Sequence, residues 1–435
     1  MRMTRRSVMT AGAVGVAGMA TTTGAGAAPV DGLPLEPGAI AKDLERYLSF
    51  GSKRSGGAGD EACGAWLEAR LKAAGLTPQR HAIETPFIEN ETCRLTLASG
   101  AVVPLLAQAP WRMTPAAGLE GRLFSPAEGG PAVPGGIAVA ALSHRRWSSS
   151  SHAEVVAAMS AAQAAGAGAL ILITNGPSGE ALALNAPPVL PSEGQPSLAI
   201  LAPHDAGPVL EALQQGQTAR FLLTGETGLR PAWNLIGRLD RGRGRWLVLS
   251  TPRSGWFTCG GERGPGVAVW LALVAWAARE MTDHDLAVIA TSGHEFENHG
   301  GHQALTQVMP SPERTALWFH LGANVAARDW HEAGGELGPL PSADPQRFLV
   351  ASQALLPAAK AAFAGQPGLE QPYPDSRGAA GELGEILKAG YPSAAGIFGG
   401  HRLHHAAIDD ERALHPPLVE EAAIGAARFV RAALA

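Results

Sequence analysis

Apolar positions along this chain follow two textures. Over residues 40–76 they fall at helical spacing, with Leu44, Tyr47 and Leu48 on one stripe and Trp66, Leu67 and Leu71 on a second. The turn-rich stretch 52–59 separates the two stripes and predicts a pair of helices. Short apolar runs at 137–140 and 169–173 read as buried strands, with an Ala-rich helix over 153–166 between them. From residue 245 onward a strand, loop, helix rhythm sets in. It predicts strands at 245–250, 286–291, 316–321 and near 394–398, and helices at 266–278, 301–308, 346–364 and 418–434. Strands alternating with helices imply an α/β fold with a mostly parallel, twisted sheet flanked by helices on both faces. Such sheets bind ligands beyond the carboxyl ends of their strands.

The first residues change this picture, because they read as an address. Thr4-Arg5-Arg6-Ser7-Val8-Met9 precedes a weakly apolar Gly/Ala-rich stretch and a small-residue site at Ala25-Gly26-Ala27, the pattern of a twin-arginine export signal over 1–27. An exported, periplasmic or extracellular protein is therefore expected. No later stretch has the roughly 18 uninterrupted apolar residues that a membrane span requires. The formal net charge of −5 becomes more negative once Arg2, Arg5 and Arg6 are removed, which argues against nucleic acid as a partner. Hydrophobic content of 46% sets the chain apart from disordered sequences in spite of its 54 glycines and 33 prolines. Three cysteines, Cys63, Cys93 and Cys259, are too few for a disulfide scaffold or a Cys-rich zinc cluster; one pair could form a bridge.

Candidate chemistry gathers just after the predicted strands. The segments are Ser250-Thr251-Pro252-Arg253-Ser254-Gly255, Gly261-Glu262-Arg263-Gly264-Pro265-Gly266, Ser292-Gly293-His294-Glu295-Phe296 and His404-His405-Ala406-Ala407-Ile408-Asp409. Their spacing and flanks resemble the co-catalytic zinc aminopeptidases, metallopeptidases of the family twenty-eight type. The opening order of helix, Arg54-Ser55-Gly56-Gly57, then a helix closing at Ala74-Gly75-Leu76, is similar to that family too. The texture of residues 113–230 resembles the protease-associated domain that this group often carries as an insertion. The implied organisation is a peptidase-like domain in two parts, 28–112 and 231–435, around an inserted domain at 113–230.

The resemblance implies two metals sharing a water, yet its ligand pattern is only half met. The positions of the family's first His and of the Asp that supports it fall on Thr251 and Arg253. The bridging Asp becomes Glu262, the general base falls on His294, and the following metal ligand on Glu295. A later Asp ligand falls on Gly322, and the terminal His, four residues before an Asp, on His405 with Asp409. One metal thus loses two of its three ligands, while Glu262, Glu295 and His405 keep ligating chemistry for the other. Three protein ligands and a water make an open zinc site.

The same substitutions admit a reading without metal, since Arg253 and Arg263 can neutralise carboxylates or hold a substrate oxyanion. Glu262 is then an ion-pair partner, and His294 and Glu295 supply acid–base chemistry. The expected cofactor is one zinc ion or none. The expected partner is a small peptide or amide-type substrate, with Arg253, Arg263, His320 and His404 as substrate-binding residues. Three functions remain open: a hydrolase with at most one metal, a metal-free acid–base hydrolase, and an inactive relative that binds peptide or glycan. Ser254 lacks the Gly-x-Ser-x-Gly elbow of a nucleophile. His299, His302, His331 and His401 fit surface or supporting roles, and Trp256 and Phe257 are candidate pocket walls or core.

Overall fold

The computed structural model describes residues 38–334 and 336–435, so the expected export signal lies outside the described residues. Two helices open the fold, α1 (Ala39–Leu48) and α2 (Ala58–Ala73), on the stripes that the apolar spacing marks. They lead into β1 (Thr77–Leu97), β2 (Val102–Pro104), β3 (Leu106–Ala107), β4 (Leu119–Phe124) and β5 (Ile137–Ala141). Helix α3 (Ala153–Ala164), β6 (Ala169–Ile173), β7 (Ser197–Leu201) and α4 (Ala206–Gln214) follow. The long β8 (Thr218–Leu239) then returns antiparallel to β1 along almost its whole length.

The second half contributes β9 (Trp246–Pro252), α5 (Gly260–Glu280), β10 (Asp285–Thr291), α6 (His299–Gln307) and β11 (Thr315–Leu321). A hairpin of β12 (Arg328–Ala333) and β13 (Glu336–Ala343) stands apart as its own two-stranded sheet. The chain ends through β14 (Arg347–Ala351), α7 (Leu356–Ala362), β15 (Tyr373–Pro374), α8 (Gly381–Lys388), β16 (Ala394–Gly399) and α9 (Pro416–Leu434).

The main sheet is mixed rather than mostly parallel. Its core, in the order β10-β9-β11-β16, is parallel; β8 and β14 flank that core antiparallel. These central strands carry no exposed position between Trp246 and Pro252 or between Thr315 and Leu321, which is why they read as continuous apolar runs. Helix α5 is buried on nearly every side, packed between the sheet and α1 and α9. A second parallel set, β4-β5-β6-β7, continues the same sheet beyond β8. Residues 113–230 therefore form the small end of one sheet, and the expected boundary at 230 falls inside β8.

One expected element is replaced. The helix expected over 346–364 is instead β14, a 3₁₀ turn and the short α7. Leu349 to Ala351 are buried as a strand against β16, and Pro357, which lacks a backbone N–H, is tolerated only in the first turn of a helix, so α7 begins just before it at Leu356. The cysteines are all free, with Cys63 and Cys259 buried and Cys93 half-buried. Among the described residues, no helix is long and apolar enough to cross a membrane.

Candidate metal centre

The centre is assembled at the start of α5. Its N-cap residue, Cys259, sits in the left-handed region (φ 54°) and offers no side-chain cap. The cap is supplied across the fold by Asp409, whose Oδ1 accepts from Gly261 N–H at 2.7 Å and Oδ2 from Glu262 N–H at 3.1 Å. The Asp409 carbonyl accepts from Gly260 N–H at 2.9 Å. A carboxylate there answers both the orphan donors and the positive end of the helix. Gly260 and Gly261 permit this closeness, because a Cβ on either would fall 2.3 Å from Asp410 O or 2.8 Å from His401 Cε1. The cap pins the 400–410 loop onto the first turn, bringing His404 and His405 to Glu262.

Glu262, His404 and His405 are all buried, and their ligating atoms lie within 4.8 Å of one another. His405 adopts a left-handed backbone (φ 62°), a local strain that turns its ring inward. Its Nδ1 stands 2.6 Å from Ala183 O; a carbonyl can only accept, so Nδ1 carries a proton and Nε2 is the ring atom turned to the site. That Nε2 faces Glu262 Oε1 at 3.4 Å. The His404 ring stacks on His405 with centroids 4.1 Å apart, and neither its Nδ1 nor Glu262 Oε1 has a hydrogen-bond partner. His401 stands behind, its Nε2 3.4 Å from Asp409 Oδ2.

Arg263 shares this space. Its Nη2 is 2.6 Å from Glu262 Oε1 and its Nε donates to Ser254 O at 3.1 Å. Neither Nη atom is aligned for a hydrogen bond, so the contact with Glu262 is one of charge. Burial alone would raise the Glu262 pKa, but Arg263, His405 and His404 more than offset it and hold the carboxyl well below its usual range. Burial pushes His404 well below the ordinary imidazole value, with the neighbouring His405 adding to the shift.

Other expected site residues lie elsewhere. Glu295, expected as the third ligand, is not part of this cluster: its Oε1 accepts from Ser55 N–H at 2.6 Å and its Oε2 from Ser254 Oγ at 2.7 Å. Burial raises its pKa. Arg253, expected to border a substrate pocket, is fully buried. It pairs with Asp60 at 2.9 Å and donates to Ala290 O and Trp233 O, with none of its side chain reaching the surface. His320, also expected at substrate, is buried with Nδ1 2.8 Å from Ser250 Oγ, a hydroxyl that receives the Trp318 indole proton at 2.7 Å. Trp256 packs edge-on against Trp111 and Phe296 in the core.

His294 remains near the centre through Ser254, whose Oγ accepts from His294 N–H at 3.3 Å and whose carbonyl accepts from Arg263 Nε at 3.1 Å. Burial lowers its pKa, and its Nδ1 faces Glu382 Oε1 at 3.4 Å. Glu382 Oε1 also accepts from Thr291 Oγ1 at 2.6 Å. No motif around Gly381-Glu382-Leu383-Gly384 announces this residue; the nearest sequence signal is Gly301, where a Cβ would crowd the Glu382 side chain at 2.8 Å. His404, expected at substrate, stands beside Glu262 and His405 in the candidate triad.

Three of the solved structures most similar to this chain are aminopeptidases or peptidases. BSAP, a zinc aminopeptidase from Bacillus subtilis, superimposes with a TM-score of 0.68 at 16% identity, over 92% of this chain and 96% of that one. The aminopeptidase from Aneurinibacillus sp. strain AM-1 gives 0.65 at 15%, over 91% and 93%. A peptidase M28 precursor from Shewanella amazonensis gives 0.69 at 14%, over 91% and 93%. At such identities the likeness is one of fold: a distant structural match to M28 zinc aminopeptidases, with, among the described residues, a single candidate metal triad in place of a clear dinuclear site. No family model and no curated protein matches the sequence.

Proposed function

We propose that this chain is an exported hydrolase on the aminopeptidase fold whose metal chemistry has contracted to one site, Glu262, His404 and His405, and that it cleaves an amide bond in a small peptide. The observation that carries this reading is the convergence of ligating atoms: Glu262 Oε1 and His404 Nδ1 are buried without hydrogen-bond partners, and the bond from His405 Nδ1 to Ala183 O leaves Nε2 as the ring atom facing Glu262. Two imidazoles and a carboxylate suit zinc, and the His405–carbonyl bond is the kind of support that fixes a ligating tautomer. A zinc ion there would polarise an amide carbonyl and acidify water.

The chain's own groups would do the rest. His294, kept neutral at neutral pH by burial, donates an Nδ1–H hydrogen bond to Glu382 and leaves Nε2 to take a proton from water. Export through the arginine pair at Arg5 and Arg6 belongs to the same proposal.

One observation favours a second reading. Arg263 already lies 2.6 Å from Glu262 Oε1, which suits a metal-free pocket serving acid–base hydrolysis or simple peptide or glycan binding. Elemental analysis before and after a zinc soak and desalting separates the two. About one zinc per chain, lost in Glu262→Gln, His404→Ala and His405→Ala and kept in Glu295→Ala, supports the first reading. No retained zinc in the unaltered protein refutes it and leaves the second.

A further inference from the structure

We infer that Arg263 is a built-in counter-cation competing with a divalent metal for Glu262 Oε1, so that metal enters only as the guanidinium gives way. The inference rests on the reading that Glu262, His404 and His405 are the ligand set. Both side chains of the Arg263–Glu262 pair are almost wholly buried, at 1% and 2% exposure, so water screens little between them. The pair occupies the carboxylate oxygen nearest the ring atom that His405 turns to the site, since Oε1 also faces His405 Nε2 at 3.4 Å.

The Arg263 fork is not locked by geometry. Its Nε is anchored on Ser254 O at 3.1 Å, whereas neither Nη atom has a hydrogen-bond partner. A head group held only by charge can swing about that anchor when a stronger cation arrives, and a dication beside a retained guanidinium is strongly repelled. Arg263 therefore sets the metal affinity although it is not a ligand.

Zinc binding to the full chain, followed by calorimetric titration for the unaltered protein, Arg263→Gln and Arg263→Lys, tests this. Arg263→Gln is expected to bind zinc at least tenfold more tightly than the unaltered protein. Arg263→Lys, which keeps the charge, is expected to stay within about threefold. Equal affinity in all three overturns the inference and leaves the proposed metal site standing. Zinc in Arg263→Gln but none in the unaltered protein supports the inference and refutes a metal-loaded resting enzyme. Zinc in neither overturns both.

Because Arg263→Gln strands a buried carboxylate, thermal unfolding is measured in zinc and in chelator. Loss of fold in chelator with recovery in zinc supports replacement of one cation by the other. A variant unfolded in both overturns it, since the metal then fails to take the guanidinium's place.

Discussion

Replacing Arg253 by Met removes the centre of a buried polar network and should be among the most damaging single changes in the molecule. The guanidinium sits against Asp60 with Nε 2.9 Å from Oδ1, both side chains at 0% exposure. It also donates to Ala290 O at 2.9 Å and Trp233 O at 2.7 Å and lies over the Trp233 ring at 4.5 Å. Breaking a buried pair from one side costs about 3–5 kcal/mol, and each carbonyl left bare adds about 1–3 kcal/mol before relaxation. Because such contributions overlap, a loss of about 4–6 kcal/mol is expected, a large part of the roughly 5–15 kcal/mol that holds a domain together. Urea unfolding followed by tryptophan fluorescence measures it. Asp60→Asn should cost less, about 2 kcal/mol, because burial already raises the Asp60 pKa and an amide keeps part of the bonding to Gly56 N–H and Ser292 Oγ. The double variant should cost clearly less than the two single losses added together. A loss below about 1 kcal/mol for Arg253→Met, with ligand affinity falling instead, would return Arg253 to a substrate-binding role and refute the structural account.

The remaining predictions concern neighbouring features. Asp409→Ala leaves Gly261 and Glu262 N–H uncapped at a buried helix start and should cost about 2–4 kcal/mol in the same urea assay; a near-neutral result would mean that another group caps the helix. Burial holds His320 neutral with its pKa lowered to about 4, while an unfolded His takes a proton near 6.5. Its contribution is therefore intact above pH 6.5 and lost as pH falls from there toward 4, by about 3 kcal/mol. His320→Asn should flatten that part of the stability–pH curve, and an unchanged slope would sink the assignment. Gly300→Ala puts a Cβ 1.9 Å from Ser292 O and should destabilise by about 1–3 kcal/mol or more, read from the urea midpoint.

What could be read from sequence follows from how local each feature is. The strands β9, β10, β11 and β16 announce themselves, because burial on both faces demands unbroken apolar runs. The β1 and β8 ribbon does not, since its residues alternate between exposed, half-buried and buried and find their partners far along the chain. Residues 346–364 suit a helical period as well as a strand, and only the edge offered by β16 decides for β14. At the site, Glu262 and His405 can be picked out by spacing, whereas the direction of Glu295 is set by Ser55 and Ser254, which belong to two other segments. His404 joins Glu262 because Asp409 caps α5, a tertiary contact without a local pattern. Glu382 is invisible for the same reason.

The β1–β8 ribbon makes the molecule a lever without a free joint. Its strands run about 70 Å at ordinary strand rise, and they carry the sheet from the parallel core into the small end. Their pairing keeps register from Thr77 to Leu97 except between Glu89 and Thr92, where Asn90 (φ 53°) and Gly225 (φ 155°) sit. Any rocking of one end against the other is thus funnelled into that single irregularity. Cutting out residues 113–230 is not a modular deletion: it severs β8 in mid-strand and strips β1 of its β8 partners from Thr85 to Leu97. The two ends of this sheet must be inherited, and lost, together.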